Sequence, residues 1–119
     1  MKRCKYKCDD FTAYSSMEMT GYILNQCSPE DIITTWYNYV LEYMPSLYSD
    51  DNIVGHFSLS DLLIMYRNNI LADEMYKWAF DRVDDWLEDE IYRASKEHMP
   101  TLDISVNINK FHIDLTWED

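Results

Sequence analysis

The chain has 119 residues, with 22 Asp or Glu against 10 Lys or Arg, so its formal net charge is −12. Binding to phosphate groups needs basic side chains, so this charge argues against a protein that binds nucleic acid or an anionic membrane directly. Hydrophobic residues make up 47% of the chain and aromatic residues 15%, which is enough for a buried core despite the acidity. We therefore expect a single domain over residues 1–119.

The positive charge is concentrated at the N-terminus. Residues 1–8 alternate Lys or Arg with Cys or Tyr, and no further Lys or Arg occurs until Arg67. The alternation predicts a basic arm or a short edge strand. Without the four charges of this arm, residues 8–119 carry a net charge of −16. Such a surface either keeps the protein soluble or binds a basic partner, and both interpretations stay open at this point.

The cysteines indicate a reduced protein. Cys4, Cys8 and Cys27 form no set of paired disulfides, and a charged N-terminus does not look like a secretory signal. No apolar run is long enough to span a membrane, so we expect a cytoplasmic protein. The cysteine spacing matches no zinc finger, and buried free thiols are commoner than metal ligands. We therefore predict no metal and no cofactor.

Capping residues and apolar periodicity predict the first helices. Ser28 followed by Pro29 is a typical helix start, and the 3.6-residue period runs over 28–44 until Pro45 ends it. Ser58 followed by Asp61 begins a second helix over 58–71. The spacing of apolar residues in 10–26 also favours a helix. A loop over 45–57 separates the helices that begin at 28 and 58.

The segment 73–97 predicts an amphipathic helix whose apolar side chains fall on an arc of about 140°. Like-charged side chains four residues apart destabilise a helix by roughly 0.2–0.5 kcal/mol per pair, and alternating Glu and Lys would fold better. A partner explains this acidic stripe more easily than the fold does. We name as the acidic face the residues opposite the apolar arc: Asp73, Glu74, Asp81, Asp84, Asp85, Glu88 and Asp89. Asp50 and Asp51 of the 45–57 loop complete the predicted partner-binding set.

The C-terminal residues 102–117 change to a period of two, which predicts a β-hairpin. Four apolar residues alternate with polar ones up to Ile108, and four more follow in the opposite phase from Phe111. A two-residue turn at Asn109-Lys110 restores the phase. This turn pairs Ile108 with Phe111, Val106 with Ile113, Ile104 with Leu115, and Leu102 with Trp117. The predicted fold class is α+β, with three to four helices packed with a C-terminal antiparallel β-hairpin.

Catalytic motifs are not found in the sequence. Asp84 and Asp85 diverge by about 100° on a helix and cannot converge on one substrate atom. The Asp50-Asp51-Asn52 run lacks the remaining ligands of a calcium loop. His112 and Asp114 are expected on the exposed face of the hairpin as a solvated pair. With no nucleophile elbow, P-loop or dinucleotide fingerprint, we expect a protein that is not an enzyme.

Two binding hypotheses remain. In the first, the acidic face occupies a basic groove that normally holds nucleic acid, since a 24-residue helix is about 36 Å long, close to one turn of DNA. In the second, the chain is a small interaction module that binds a protein through its ten Tyr and four Trp, with the acids serving only solubility. A steep salt dependence of binding would favour the first hypothesis.

Two stretches carry a resemblance to the phage-encoded DNA-mimic antirestriction family (Ocr-like). Residues 39–50 are similar to a helix that ends in Pro-x-Tyr-Tyr-x-Asp, and residues 78–91 resemble the acidic terminal helix of that family. The family is essentially all-helical, whereas anti-CRISPR proteins share the acidic style and include α+β folds. The resemblance implies an inhibitor that occludes the nucleic-acid-binding site of a host defence protein, either a restriction enzyme or a CRISPR effector. It implies a basic protein partner, no direct nucleic-acid or membrane binding, and leaves a homodimer open.

Overall fold

The computed structural model describes residues 3–40 and 58–118, in which two strands are followed by helices and then by two more strands. The described strands and helices are β1 (Arg3–Cys8), β2 (Phe11–Ala13), α1 (Ser16–Asn25), α2 (Pro29–Thr35), α3 (Leu59–Arg67), α4 (Asp73–Lys96), β3 (Thr101–Val106) and β4 (Asn109–Glu118). A π-helical turn, Trp36–Val40, follows α2. The predicted α+β class with a C-terminal hairpin is confirmed. The 45–57 loop, Asp50 and Asp51 lie outside the described residues.

The chain divides into two compact units, Met1–Cys27 with Asp84–Asp119, and Ser28–Val83. The first unit contains a four-stranded antiparallel sheet in the order β2-β1-β4-β3. The second contains α2, the π-helical turn and α3. Among the described residues, no helix combines the length and apolar character needed to cross a membrane.

Strand β1 lies inside the sheet, between β2 and β4, so the prediction of an arm or an edge strand was wrong. Its inward side chains explain the position, because Tyr6 is only 3% exposed and Cys8 only 1%. A neighbouring strand on each side pairs the backbone of β1 and helps to cover these buried side chains. Its basic side chains point to the opposite face, where Lys5 Nζ lies 3.4 Å from Glu118 Oε1 of β4. The basic N-terminus is therefore part of the sheet.

The C-terminal hairpin turns two residues earlier than predicted, at Asn107-Ile108. Asn107 adopts a left-handed φ of 58°, which Asn tolerates better than most residues, whereas Ile108 is 81% exposed in the turn. The pairing shifts accordingly, so that Val106 faces Asn109, Ile104 faces Phe111 and Leu102 faces Ile113. The predicted turn and register were wrong. The inward face is nonetheless right for every predicted apolar residue except Ile108, because moving the turn by two residues shifts each cross-strand partner by four, which preserves the alternation.

Residues 10–26 form both a strand and a helix. Phe11–Ala13 pairs with β1, which corrects the expectation of a helix over this part. Helix α1 then begins after Ser15, whose hydroxyl accepts a hydrogen bond from the backbone N–H of Glu18 at 3.1 Å. The capping residue, rather than the apolar spacing, sets where the helix starts.

In the second unit, the predicted helix starts at Ser28 and Ser58 are confirmed, and each serine forms a capping box, Ser28 with Asp31 and Ser58 with Asp61. The predicted helix 28–44 is α-helical to Thr35 and π-helical to Val40, and 41–44 lies outside the described residues. The predicted helix 58–71 ends four residues early, at Arg67.

An aromatic pair of buried Trp36 and half-buried Trp78 stabilises this second unit. The Trp36 ring, 1% exposed, meets the Trp78 ring edge to face, with centroids 5.2 Å apart. Ile32, Ile33 and Leu62 are buried in the same unit. A forked ion pair joins α3 to α2, because Arg67 Nε and Nη2 lie 2.8 and 3.2 Å from the two carboxylate oxygens of Glu30.

Candidate acidic interface on helix α4

Helix α4 spans Asp73–Lys96, one residue short of the predicted 73–97. A buried stripe runs along it at intervals of three or four residues: Ala79, Val83, Leu87, Ile91 and Ala94. This stripe fixes which side of the helix is turned inward and leaves the other side to water.

The acidic face lies on the accessible side of α4. Five of its seven carboxylates are exposed, and the remaining two, Asp84 and Glu88, are half-buried. Over residues 73–89 the helix rises about 24 Å, so the face carries one carboxylate per about 3.4 Å. This linear charge density equals that of one strand of a DNA duplex, which is about one charge per 3.4 Å.

Three of the predicted residues come together in one groove of the first unit. Asp85, Glu88 and Asp89 line it with Ser16 and Tyr92, and its volume is about 390 Å³. We name these five residues the acidic groove. The other members of the acidic face do not line this groove. A surface with three carboxylates, a phenol and a hydroxyl is suited to ammonium and guanidinium groups.

The sequence-based prediction missed Ser16 and Tyr92. Tyr92 follows Glu88 by four residues, so helical periodicity alone could have placed it on the acidic side. Ser16 is the first residue of α1 and joins the groove through the tertiary fold. No local sequence pattern indicates that contact.

A cation of the protein itself already lies beside the acidic groove. Lys96 Nζ is 5.3 Å from the centroid of the Tyr92 ring, which is within the range of a cation–π contact. Tyr92 is 48% exposed, so the ring remains accessible. Glu90, which does not belong to the acidic face, is ion-paired with Arg93. One wall of the acidic groove is therefore a ring that already contacts an ammonium group.

The exposed sheet face carries a second polar cluster, centred on His112. Its Nδ1 lies 2.6 Å from Asp103 Oδ1, and its Nε2 lies 3.2 Å from Asp114 Oδ1. The sequence-based pairing of His112 with Asp114 omitted Asp103, which faces His112 across the hairpin. The hydrogen bond with Asp103 raises the pKa of His112 above its ordinary value. Because each ring nitrogen of His112 already contacts a carboxylate, the arrangement favours a structural role for His112 over a role as a general base.

The cysteines are free thiols. Burial raises the pKa of the Cys4 and Cys8 thiols, which favours their unreactive protonated form. Within residues 3–40 and 58–118, no group of three or more His, Cys, Asp or Glu is arranged to hold a metal ion.

Comparisons of the chain with protein-family models, with curated proteins and with solved structures find no match. A functional proposal for this protein therefore depends on the chemistry of its own surface.

Proposed function

We propose that the protein inhibits a nucleic-acid-binding protein by placing the acidic face of α4 in the basic site that normally holds DNA or RNA. The observation that carries this proposal is the convergence of Asp85, Glu88 and Asp89 in one groove beside Tyr92. Lys and Arg side chains that bind phosphates also bind carboxylates, so such a surface competes with nucleic acid without any chemistry. The protein is not an enzyme in this proposal.

The linear charge density of the acidic face supports competition along a groove rather than at one point. A helix holds its carboxylates at fixed spacing, so little conformational entropy is lost when several of them bind at once. The surplus of negative charge also steers a basic partner toward the protein and accelerates association. Both effects weaken as salt screens the charges.

The proposed partner is a host defence protein, either a restriction enzyme or a CRISPR effector, as the resemblance to DNA-mimic proteins suggests. A cytoplasmic site of action belongs to the same proposal, and the three free thiols are compatible with a reducing compartment. The aromatic interaction module has less support, because large rings such as Trp36 and Trp78 pack against each other rather than outward.

A binding experiment with two matched variants tests the proposal. The groove variant carries Asp85→Asn, Glu88→Gln and Asp89→Asn. The control variant carries Asp9→Asn, Asp10→Asn and Glu97→Gln, which changes the net charge equally outside the groove. Each immobilised protein is exposed to a lysate of the natural host at low salt, and the captured protein is eluted with duplex DNA, with RNA or with a salt gradient.

We expect the wild type and the control variant to capture the same basic protein, which nucleic acid displaces. The groove variant should release this partner at a lower salt concentration than the wild type and the control variant do, because fewer of its carboxylates contact the partner's Lys and Arg side chains. A partner that nucleic acid does not displace, or that binds the groove variant and the control variant equally, would contradict the proposal.

A further inference from the structure

A second pocket lies in the Ser28–Val83 unit, where the chain passes from α3 to α4. Tyr66, Asn69, Leu71, Asp73 and Tyr76 line it, and its volume is about 130 Å³. We name it the aromatic pocket. This volume is close to the roughly 150 Å³ of a cavity that binds benzene, so the pocket has room for a planar guanidinium group.

The turn between the two helices fixes the walls of the aromatic pocket. The backbone N–H groups of Ile70 and Leu71 donate to the Met65 carbonyl at 2.9 and 3.2 Å. Asn69 adopts a left-handed φ of 58°, which directs the chain back toward α4. The Tyr66 and Tyr76 rings stand 6.0 Å apart between centroids, with their planes tilted by 34°. The pocket is therefore bounded by one ring from α3 and one from α4, and hydrogen bonds hold the turn that connects these two helices.

The lining favours a cation. Asp73 places an exposed carboxylate at the pocket, and none of the ion pairs between described residues includes it. The negative faces of the two tyrosine rings attract a cation as well. Burial raises the pKa of Tyr76, so its phenol is neutral at physiological pH. An anion would be repelled by Asp73, and an uncharged ligand would gain no ionic attraction from that carboxylate.

Arginine fits this lining better than lysine. A planar guanidinium stacks on aromatic rings and forms a fork with a carboxylate, whereas an ammonium acts as a point charge. The chain uses both modes for its own arginines. Arg3 Cζ lies 4.4 Å from the Tyr14 ring centroid, and Arg67 makes the fork with Glu30. The aromatic pocket combines the two modes, because a guanidinium group bound there would meet both an aromatic ring and a carboxylate.

We propose that the aromatic pocket binds an arginine side chain of the basic partner, with the guanidinium stacked on Tyr66 and Tyr76 and paired with Asp73. This inference rests on the proposed function, because it specifies the group that one end of the acidic face receives. The pocket can nevertheless be tested without the partner, since a single blocked amino acid carries the chemistry it recognises.

The direct test is an NMR titration with three blocked amino acids as probes. N-acetyl-arginine amide carries the guanidinium, N-acetyl-citrulline amide has nearly the same shape without charge, and N-acetyl-lysine amide carries an ammonium. We expect arginine to shift the ring signals of Tyr66 and Tyr76 saturably, lysine to bind several-fold more weakly, and citrulline to cause no saturable shift. Equal shifts with arginine and citrulline, or none with arginine, would overturn the proposal.

Two charge-matched variants locate the site. Asp73→Asn should weaken arginine binding about tenfold or more, which is the loss of one charge-assisted hydrogen bond. Asp81→Asn removes the same charge from the same helix outside the pocket and should change binding less than twofold. Tyr76→Phe keeps the ring and should retain binding. Equal weakening by Asp73→Asn and Asp81→Asn would show diffuse charge attraction and refute a defined site.

The groove variant separates this inference from the proposed function. None of its three substitutions lies in the aromatic pocket, so the groove variant should bind N-acetyl-arginine amide as the wild type does. Its binding to the partner should nevertheless be lost. If the partner still depends on Asp85, Glu88 and Asp89 but the pocket binds no arginine, only the further inference fails. If the pocket binds arginine and the groove variant keeps the partner, only the proposed function fails.

Discussion

Two adjacent substitutions in β3 should have opposite consequences for stability. Ile104 is 8% exposed on the inner face of the sheet, whereas its neighbour Ser105 is exposed on the outer face. Ile104→Asp removes about 1.5–3 kcal/mol of side-chain burial and adds an unpaired charge worth at least about 1–3 kcal/mol. We expect a loss of about 4 kcal/mol, a large part of the 5–15 kcal/mol that is typical of a folded domain.

Ser105→Asp should be neutral or stabilising, because Ser105 faces Lys110 across the hairpin. A cross-strand pair of opposite charges contributes about 0.2–1 kcal/mol. The register predicted from the sequence would place residue 105 opposite Asp114, where a new carboxylate would destabilise the hairpin instead. Ser105→Lys is the matched control, with the opposite expectation in each register. Whichever of the two substitutions at Ser105 gives the more stable protein therefore identifies the register of the hairpin.

Urea denaturation followed by circular dichroism measures these effects as shifts of the midpoint at constant slope. The order of stability should be Ser105→Asp, then Ser105→Lys, then Ile104→Asp, and the gap between the first two should narrow at high salt. If Ser105→Lys is the more stable of the pair, the hairpin has the other register. If Ile104→Asp is tolerated as well as Ser105→Asp, the assignment of the core face is wrong.

Three further predictions concern charge. The hydrogen bond with Asp103 raises the pKa of His112, so the protonated imidazole stabilises the fold below the ordinary histidine pKa, and this contribution is lost as the pH rises through the raised pKa. The difference in urea midpoint between the wild type and His112→Gln should therefore decrease as the pH rises above the ordinary histidine pKa. The protein should not bind DNA or RNA directly, and tight binding in a low-salt gel shift would contradict this. The groove variant should unfold at the same or a slightly higher temperature, because it relieves three like-charge pairs four residues apart, worth roughly 0.2–0.5 kcal/mol each.

Local chemistry was sufficient to predict the starts of α2, α3 and α4 and the faces of the hairpin. Ser28 and Ser58 indicate where their helices begin, because each hydroxyl accepts a hydrogen bond from a backbone N–H only three residues further along the chain. Such a local contact can be read from the sequence. The turn was harder, because both candidate turns preserve the alternation of the strands. The left-handed backbone of Asn107 decides between them, and a sequence that offers asparagine at both 107 and 109 does not reveal which one adopts it.

Long-range pairing was beyond the reach of the sequence. Strand β1 pairs with β4 from the other end of the chain, so its interior position depends on residues about a hundred positions away. The same limit applies to the acidic groove. Asp85, Glu88 and Asp89 could be predicted from one helical period, whereas Ser16 joins them only in the folded protein. Residues on one helix are predictable together, and residues from separate elements are not.

The acidic stripe on α4 is tolerated because burial on the opposite side outweighs its cost. Three like-charge pairs four residues apart, Asp81/Asp85, Asp84/Glu88 and Asp85/Asp89, together cost at most about 1.5 kcal/mol. Complete burial of Leu87 and Ile91 on the same helix contributes about 1.5–3 kcal/mol for each side chain. Burial on the inner side therefore outweighs the repulsion between these carboxylates. A loss of partner binding in a groove variant that remains folded would locate the use of Asp85, Glu88 and Asp89 outside the fold.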